Sequence, residues 1–195
     1  TEHLSLYQLT IEPATPFATL VRSGALTVPD DNRTIELYEA TQEVSEAAGL
    51  PAYEISDHAT TGAQSRHNLI YWRYGDYAGV GPGAHGRLVL DGKRVATACE
   101  RLPERWREMV LRDGFGFAQT PISDEEAARE HLLMNLRLTE GLDISAYKAR
   151  WNIALDDARI DSLAQDGLLE REGVVIRATP NGRLVLNSVI AALAA

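Results

Sequence analysis

Residues 121–195 constrain the fold more than any other stretch. PISDEEAAREHLLMN places Ser123 three residues before Glu126, the reciprocal capping pair that starts a helix. Ala128, Leu132, Leu133 and Leu136 follow at helical spacing and predict its buried stripe. Two shorter helices are expected around DISAYKARW and LDDARIDSLAQDG, then a hairpin in LLEREGVVIRATPNG turning at Glu172-Gly173, and a last helix in RLVLNSVIAALAA. Three helices followed by a two-stranded turn give the outline of a winged helix. Its candidate recognition helix, LDDARIDSLAQDG, carries four aspartates against one arginine, the wrong sign for a phosphate surface. Asp156, Asp157 and Asp161 are read as a solvated face, and the unit as a packing module.

The chain opens on HLSLYQLTIEP, where Leu4, Leu6, Leu9 and Ile11 with Tyr7 make both faces apolar. That pattern predicts a strand covered on both sides, as in a parallel sheet, and a chain that is a piece of something longer. Asp30 and Asp31 stand where helix caps belong, Ile35, Tyr38, Val44 and Ala47 or Ala48 recur at helical spacing, and Gly49 ends the run, so a helix is expected over 31–48. PAYEISDHA reads as a short strand, and RLVLDGKRVATA as a hairpin around Asp91-Gly92. PERWREMVLRDG begins on Pro103 and closes on Gly114 as a helix does. The expected class is α/β, divided into domains at 1–115 and 116–195.

The net charge of −9 is shared, 11 basic and 16 acidic residues over 1–115 against 8 and 12 over the remainder. No half is basic enough to grip nucleic acid. A lone cysteine, Cys99, excludes an internal disulfide or a multi-thiolate site, and reads as a packing residue. No run of 18 apolar residues predicts a membrane span and no basic and apolar leader opens the chain, so a cytoplasmic protein is expected.

SRHNLIYWRYGDYAGVGPGAHG, residues 65–86, gathers two histidines, one tryptophan, three tyrosines and five glycines. A neutral imidazole at His67 can ligate a metal or haem iron, Tyr71 and Trp72 can lie against a flat macrocycle, and Asn68 adds a polar handle. The competing reading makes His67 a loop histidine and the aromatic residues core. In GVGPGAHG, Gly79, Gly81 and Gly83 permit close backbone approach or positive φ. Pro82 removes an amide donor and no lysine follows, so neither a P-loop nor a dinucleotide fingerprint is present. His85 is a candidate proton donor or acceptor. No G-x-S-x-G elbow supports hydrolase chemistry, and no residue is assigned as catalytic.

SLYQLTIEP, YEISDHA, SRHNLIYWRYGDYAGVGPGAHG and LLMNLRLTEGLD, in this order, resemble the oxygen-independent coproporphyrinogen III oxidase-like (HemN/HemW) family of radical S-adenosylmethionine (SAM) proteins. His67-Asn68-Leu69-Ile70-Tyr71-Trp72 looks like the H-N-x-x-Y-W of its HemW branch, linked to haem binding and delivery. The resemblance implies the C-terminal part of a partial (β/α) barrel with a small hairpin, followed by a winged-helix-like domain. It implies haem as ligand and, in an intact parent, a [4Fe–4S] cluster on a C-x-x-x-C-x-x-C motif that this sequence lacks, together with SAM. His67, as possible iron ligand, Asn68, Tyr71 and Trp72 become the haem-side residues. Thr10, Gly81, Gly83, Ala84 and His85 become the SAM or tetrapyrrole pocket. The implied partners are haem or a porphyrinogen and a haem-accepting protein. The alternative activity within the family is oxidative decarboxylation of coproporphyrinogen III to protoporphyrinogen IX.

Overall fold

A computed structural model describes residues 1–195, and contacts gather them into two compact units, Thr1–Gln64 and Ser65–Ala195. The class is mixed α/β with three open antiparallel sheets and no closed barrel.

In the first unit β1 (His3–Ser5) is followed by α1 (Pro16–Arg22), α2 (Asp31–Ala47) and β2 (Asp57–Ala59). Asp30 caps α2 by accepting the Arg33 amide at 2.8 Å, and Gly49 leaves it at φ 77°. The expected long opening strand is three residues long. It pairs antiparallel with β2, Leu4 opposite His58, and is not part of a parallel sheet. The ladder stops because its partner turns away: the Tyr53 amide donates to the Asp57 carbonyl, and Ala52 bridges His58. Beyond the bond from the Leu6 amide to Ser56, Tyr7 is 78% exposed and Leu9 64%. The unit's buried centre is unusually polar, with Glu54, Asp57 and His58 beside Leu50, Tyr53 and Ala59.

The second unit begins with α3 (Arg66–Trp72), which the sequence reading did not expect as a helix. A hairpin of β3 (His85–Leu90) and β4 (Lys93–Cys99) turns at Asp91-Gly92, both at positive φ as the tight hairpin turn requires. Next, α4 (Pro103–Asp113) closes on left-handed Gly114, and β5 (Phe117–Pro121) completes the sheet in the order β3-β4-β5. The expected division at 115–116 falls inside this unit, between α4 and β5.

The remainder runs α5 (Asp124–Asn135), β6 (Leu142–Asp143), α6 (Ile144–Trp151), α7 (Asp157–Gln165), β7 (Leu169–Glu172), β8 (Val175–Ala178), α8 (Pro180–Leu184) and α9 (Leu186–Ala194). Helix, strand, two helices and a hairpin, with sheet order β6-β8-β7, form a winged helix. The Ser123–Glu126 capping box is present. Ala128, Leu132 and Leu136 are buried as expected, but Leu133 is 44% exposed, and His131 instead faces inward. The hairpin turns one residue later than expected, with Glu172 opposite Val175. The last helix is two helices broken at Val185, because Gly182 in α8 lies directly on the Leu168 backbone and fixes that short helix against the turn before β7.

Candidate functional site

The H-N-x-x-Y-W motif occupies α3. Ser65 starts the helix by accepting the Asn68 amide on its hydroxyl at 3.2 Å. Helical geometry then sorts the motif into two adjacent rows, His67 with Tyr71 and Asn68 with Trp72, each pair four residues apart and the rows about 100° apart.

The first row makes a direct contact. Tyr71 Oη lies 2.8 Å from His67 Nε2, and the two rings meet edge to face with centroids 4.7 Å apart. His67 is exposed and Tyr71 half-buried. In the second row Trp72 is half-buried with the Arg137 guanidinium 4.7 Å from its ring centroid, and its buried indole nitrogen has no hydrogen-bond partner. Asn68, one helical turn earlier in the same row, is half-buried.

Tyr77 links this helix to the glycine-rich loop. Its ring stands edge-on to Tyr71 at 4.3 Å, and its backbone exchanges two hydrogen bonds with Arg87 of β3. Two of the loop's glycines serve the protein's own packing: a Cβ on Gly79 would strike the His85 backbone, and one on Gly86 would strike the Thr97 hydroxyl. Gly81 and Gly83 differ, since both hold positive φ and a Cβ on Gly81 would meet nothing within 4 Å. The Gly83 amide donates to Glu100 and the Ala84 amide to Gly81, while the Ala84 carbonyl accepts from Cys99, so this loop has spent those groups internally. His85 is exposed at the start of β3, opposite Ala98, and Cys99 is buried as a packing residue. Thr10 belongs to the first unit, where it lines a groove of about 410 Å³ with Tyr7, Gln8 and Tyr38.

The most developed polar cluster was invisible in the sequence reading. Tyr74 leaves α3 in the left-handed conformation, φ 53°, and turns a buried ring into the second unit. Its hydroxyl donates to Glu130 at 2.6 Å, and Arg87 clasps the same carboxylate with two bonds of 2.8 and 3.0 Å. Arg94 lies 4.0 Å from the Tyr74 ring centroid, donates to Asp76, and reaches the carbonyls of Tyr74 and Gly75. His131 stacks on Tyr74, and the Trp151 indole donates to His131 Nδ1 at 2.9 Å. Burial, reinforced by the positive charges of Arg150 and Arg94, pulls the His131 pKa down to about 4, so the ring is neutral and able to accept that bond. Burial and the Glu130 hydrogen bond push the Tyr74 phenol well above its usual range. This cluster ties the hairpin sheet to α5 and α6. Only the left-handed exit at Tyr74 could have hinted at it, and φ is not readable from the residue type.

No group of three or more histidine, cysteine, aspartate or glutamate side chains is placed to hold a metal ion. A porphyrin brings four nitrogen ligands of its own, so a single exposed imidazole is enough to suit haem iron. With one cysteine, buried at Cys99, this chain's residues do not fit an iron–sulfur cluster, whose ligands would have to lie outside these 195 residues. No helix is long and apolar enough to cross a membrane.

Comparison with known proteins agrees with the motif. Residues 122–185 match the HemN C-terminal domain family. The chain is 34% identical to radical S-adenosyl methionine domain-containing protein 1, mitochondrial, of Bos taurus, over 98% of its own length and 46% of that protein's. It is 32% identical to the heme chaperone HemW of Bacillus subtilis, covering 98% of this chain and 50% of the relative, and 33% identical to HemW of Escherichia coli, covering 96% and 48%. The fold matches coproporphyrinogen III oxidase (HemN) of Escherichia coli with a TM-score of 0.69 at 15% identity, over 98% of this chain and 48% of that one. The chain thus spans about half the length of the relatives it matches. With winged-helix domain and relatives in agreement, residues 122–185 belong to the HemN C-terminal domain family, and the chain as a whole is a homologue of about half of HemW and of radical S-adenosyl methionine domain-containing protein 1.

Proposed function

We propose that this chain is the haem-handling part of a radical SAM haem chaperone, with His67 as the axial iron ligand. The observation that carries the reading is an exposed imidazole on α3 in edge contact with Tyr71, whose ring Tyr77 in turn joins to the glycine-rich loop. Asn68 and Trp72 supply the neighbouring row. Gly81, Gly83, Ala84 and His85 form the tetrapyrrole-side loop, where the open space at Gly81 admits a flat ligand. Relatives named as heme chaperones support haem over a porphyrinogen as ligand. The bound haem then passes to an accepting protein, with no part for nucleic acid.

A haemin titration tests the assignment. The 195-residue chain is expected to give a saturable Soret shift, and His67→Ala to weaken binding at least tenfold and alter the spectrum, as loss of an axial ligand must. An unchanged affinity and spectrum in the variant would remove His67 from the iron.

A further inference from the structure

We infer that Tyr71 is a positioning residue that holds His67 in a capped resting state, so that haem iron and the Tyr71 hydroxyl compete for one imidazole nitrogen. The inference rests on the haem reading above and concerns how that site is controlled.

The contact falls on the nitrogen that matters. Nδ1 sits beside Cβ, where a porphyrin plane collides with the helix, whereas Nε2 stands at the far edge of the ring and is the unhindered donor. Nε2 is the atom that lies 2.8 Å from Tyr71 Oη. With the proton on Nδ1, the Tyr71 O–H donates to Nε2 and occupies its lone pair. With the proton on Nε2, that N–H donates to the phenol oxygen and no lone pair exists there. Either tautomer must give up the bond before iron can be coordinated.

The two partners are not equally free to move. Tyr71 is half-buried and its ring is held edge-on by Tyr77, whose backbone is pinned to Arg87. His67 is exposed on the first turn of a seven-residue helix, and Tyr71 is its sole polar side-chain contact. Opening therefore moves the histidine, which rotates away from a fixed hydroxyl, while α3 keeps its place. A contact of this kind makes binding weaker than a free imidazole would, and it offers the histidine a partner when haem departs. Both effects suit a protein that must release its cargo.

The cap is measured by the Tyr71→Phe variant, which keeps the ring and its edge contact but removes the hydroxyl. Loss of one exposed hydrogen bond predicts roughly two- to tenfold tighter haemin binding with an unchanged Soret maximum. A second reading needs no haem: carbethoxylation by diethyl pyrocarbonate, followed by mass spectrometry on the peptide bearing His67, should be faster in Tyr71→Phe by a similar factor. Unchanged or weaker haemin binding together with unchanged modification would overturn the cap. Weaker binding with a shifted spectrum would also overturn it, by making Tyr71 itself a haem contact. His67→Ala separates the two ideas. If it binds haemin as the parent does, or if the parent binds none, the haem reading fails, and the modification rate still decides whether Tyr71 occupies Nε2. Far-ultraviolet circular dichroism melts of each variant show that the fold is kept.

Discussion

Glu130 and His131 are neighbours on α5 that meet the same tyrosine with opposite electrostatic demands. Glu130 is ionised and held so by Arg87 and the Tyr74 hydroxyl, which lower its pKa against the opposing cost of burial. His131 must be neutral, since Trp151 donates to its Nδ1 and two arginines lie close. The two titrations have separate windows. An unfolded histidine binds a proton near pH 6.5 and folded His131 only near pH 4, so between these values the unfolded state holds the extra proton and stability falls as pH falls. Glu130, depressed when folded, contributes stability above the ordinary carboxylate range and loses it below. Urea midpoints should therefore decline from pH 6.5 toward pH 4, and His131→Phe should flatten that slope. The variant should also lose about 1–3 kcal/mol at pH 7, because the Trp151 N–H is left without an acceptor. An equal slope in both proteins would assign the acid sensitivity elsewhere. His131 escaped sequence reading for a physical reason: the stripe of Ala128, Leu132 and Leu136 marks the helix face, but what makes a histidine acceptable beside it is a tyrosine 57 residues earlier and a tryptophan on the next helix. Leu133, expected inside, falls outside the face that Ala128, His131, Leu132 and Leu136 bury.

Among the elements, α3 depends most on one small side chain. It has only seven residues, too few to persist on propensity alone, and Ser65 supplies its start. Ser65→Ala should cost about 1 kcal/mol, the usual worth of such a cap. Faster amide exchange over 68–72 and weaker haemin binding should accompany it, since a frayed first turn no longer holds the His67 imidazole in one place. A cap that changed neither would mean that packing on α5 alone holds the helix. The hairpin makes a different demand. Gly86→Ala brings a methyl group onto the Thr97 hydroxyl and the backbone of Tyr77 and Gly79, so a loss of about 1–3 kcal/mol in thermal unfolding is expected. The hairpin at Asp91-Gly92, the caps at Asp30 and Ser123, and the wing were legible because each is written in adjacent residues. The opening strand was not: its apolar alternation describes what the segment can bury, while its length is set by where β2 turns away.

At the scale of the whole molecule, the two units differ in how they are held, and exchange kinetics should report it. In Thr1–Gln64 the buried apolar side chains are Leu50, Tyr53 and Ala59, and the rest of the centre is Ser45, Glu54, Asp57 and His58. One nitrogen of His58, fully buried, has no partner, a standing cost that hydrophobic burial there does little to offset. Ser65–Ala195 instead packs Leu132, Leu136, Leu142, Ile160, Ile176 and Val189 at close to zero exposure. Amides over 6–30 should therefore exchange fastest, and those of α5, α9 and β8 slowest, with opening free energies in the second group near the global value. The H-N-x-x-Y-W helix and the glycine-rich loop belong to the well-packed unit, and Thr10 to the other. Haemin bound through His67 should raise protection over 65–87 and leave 6–30 unchanged, since a ligand stabilises the elements it contacts. Protection that left 65–87 unchanged would remove α3 and its loop from the haem site.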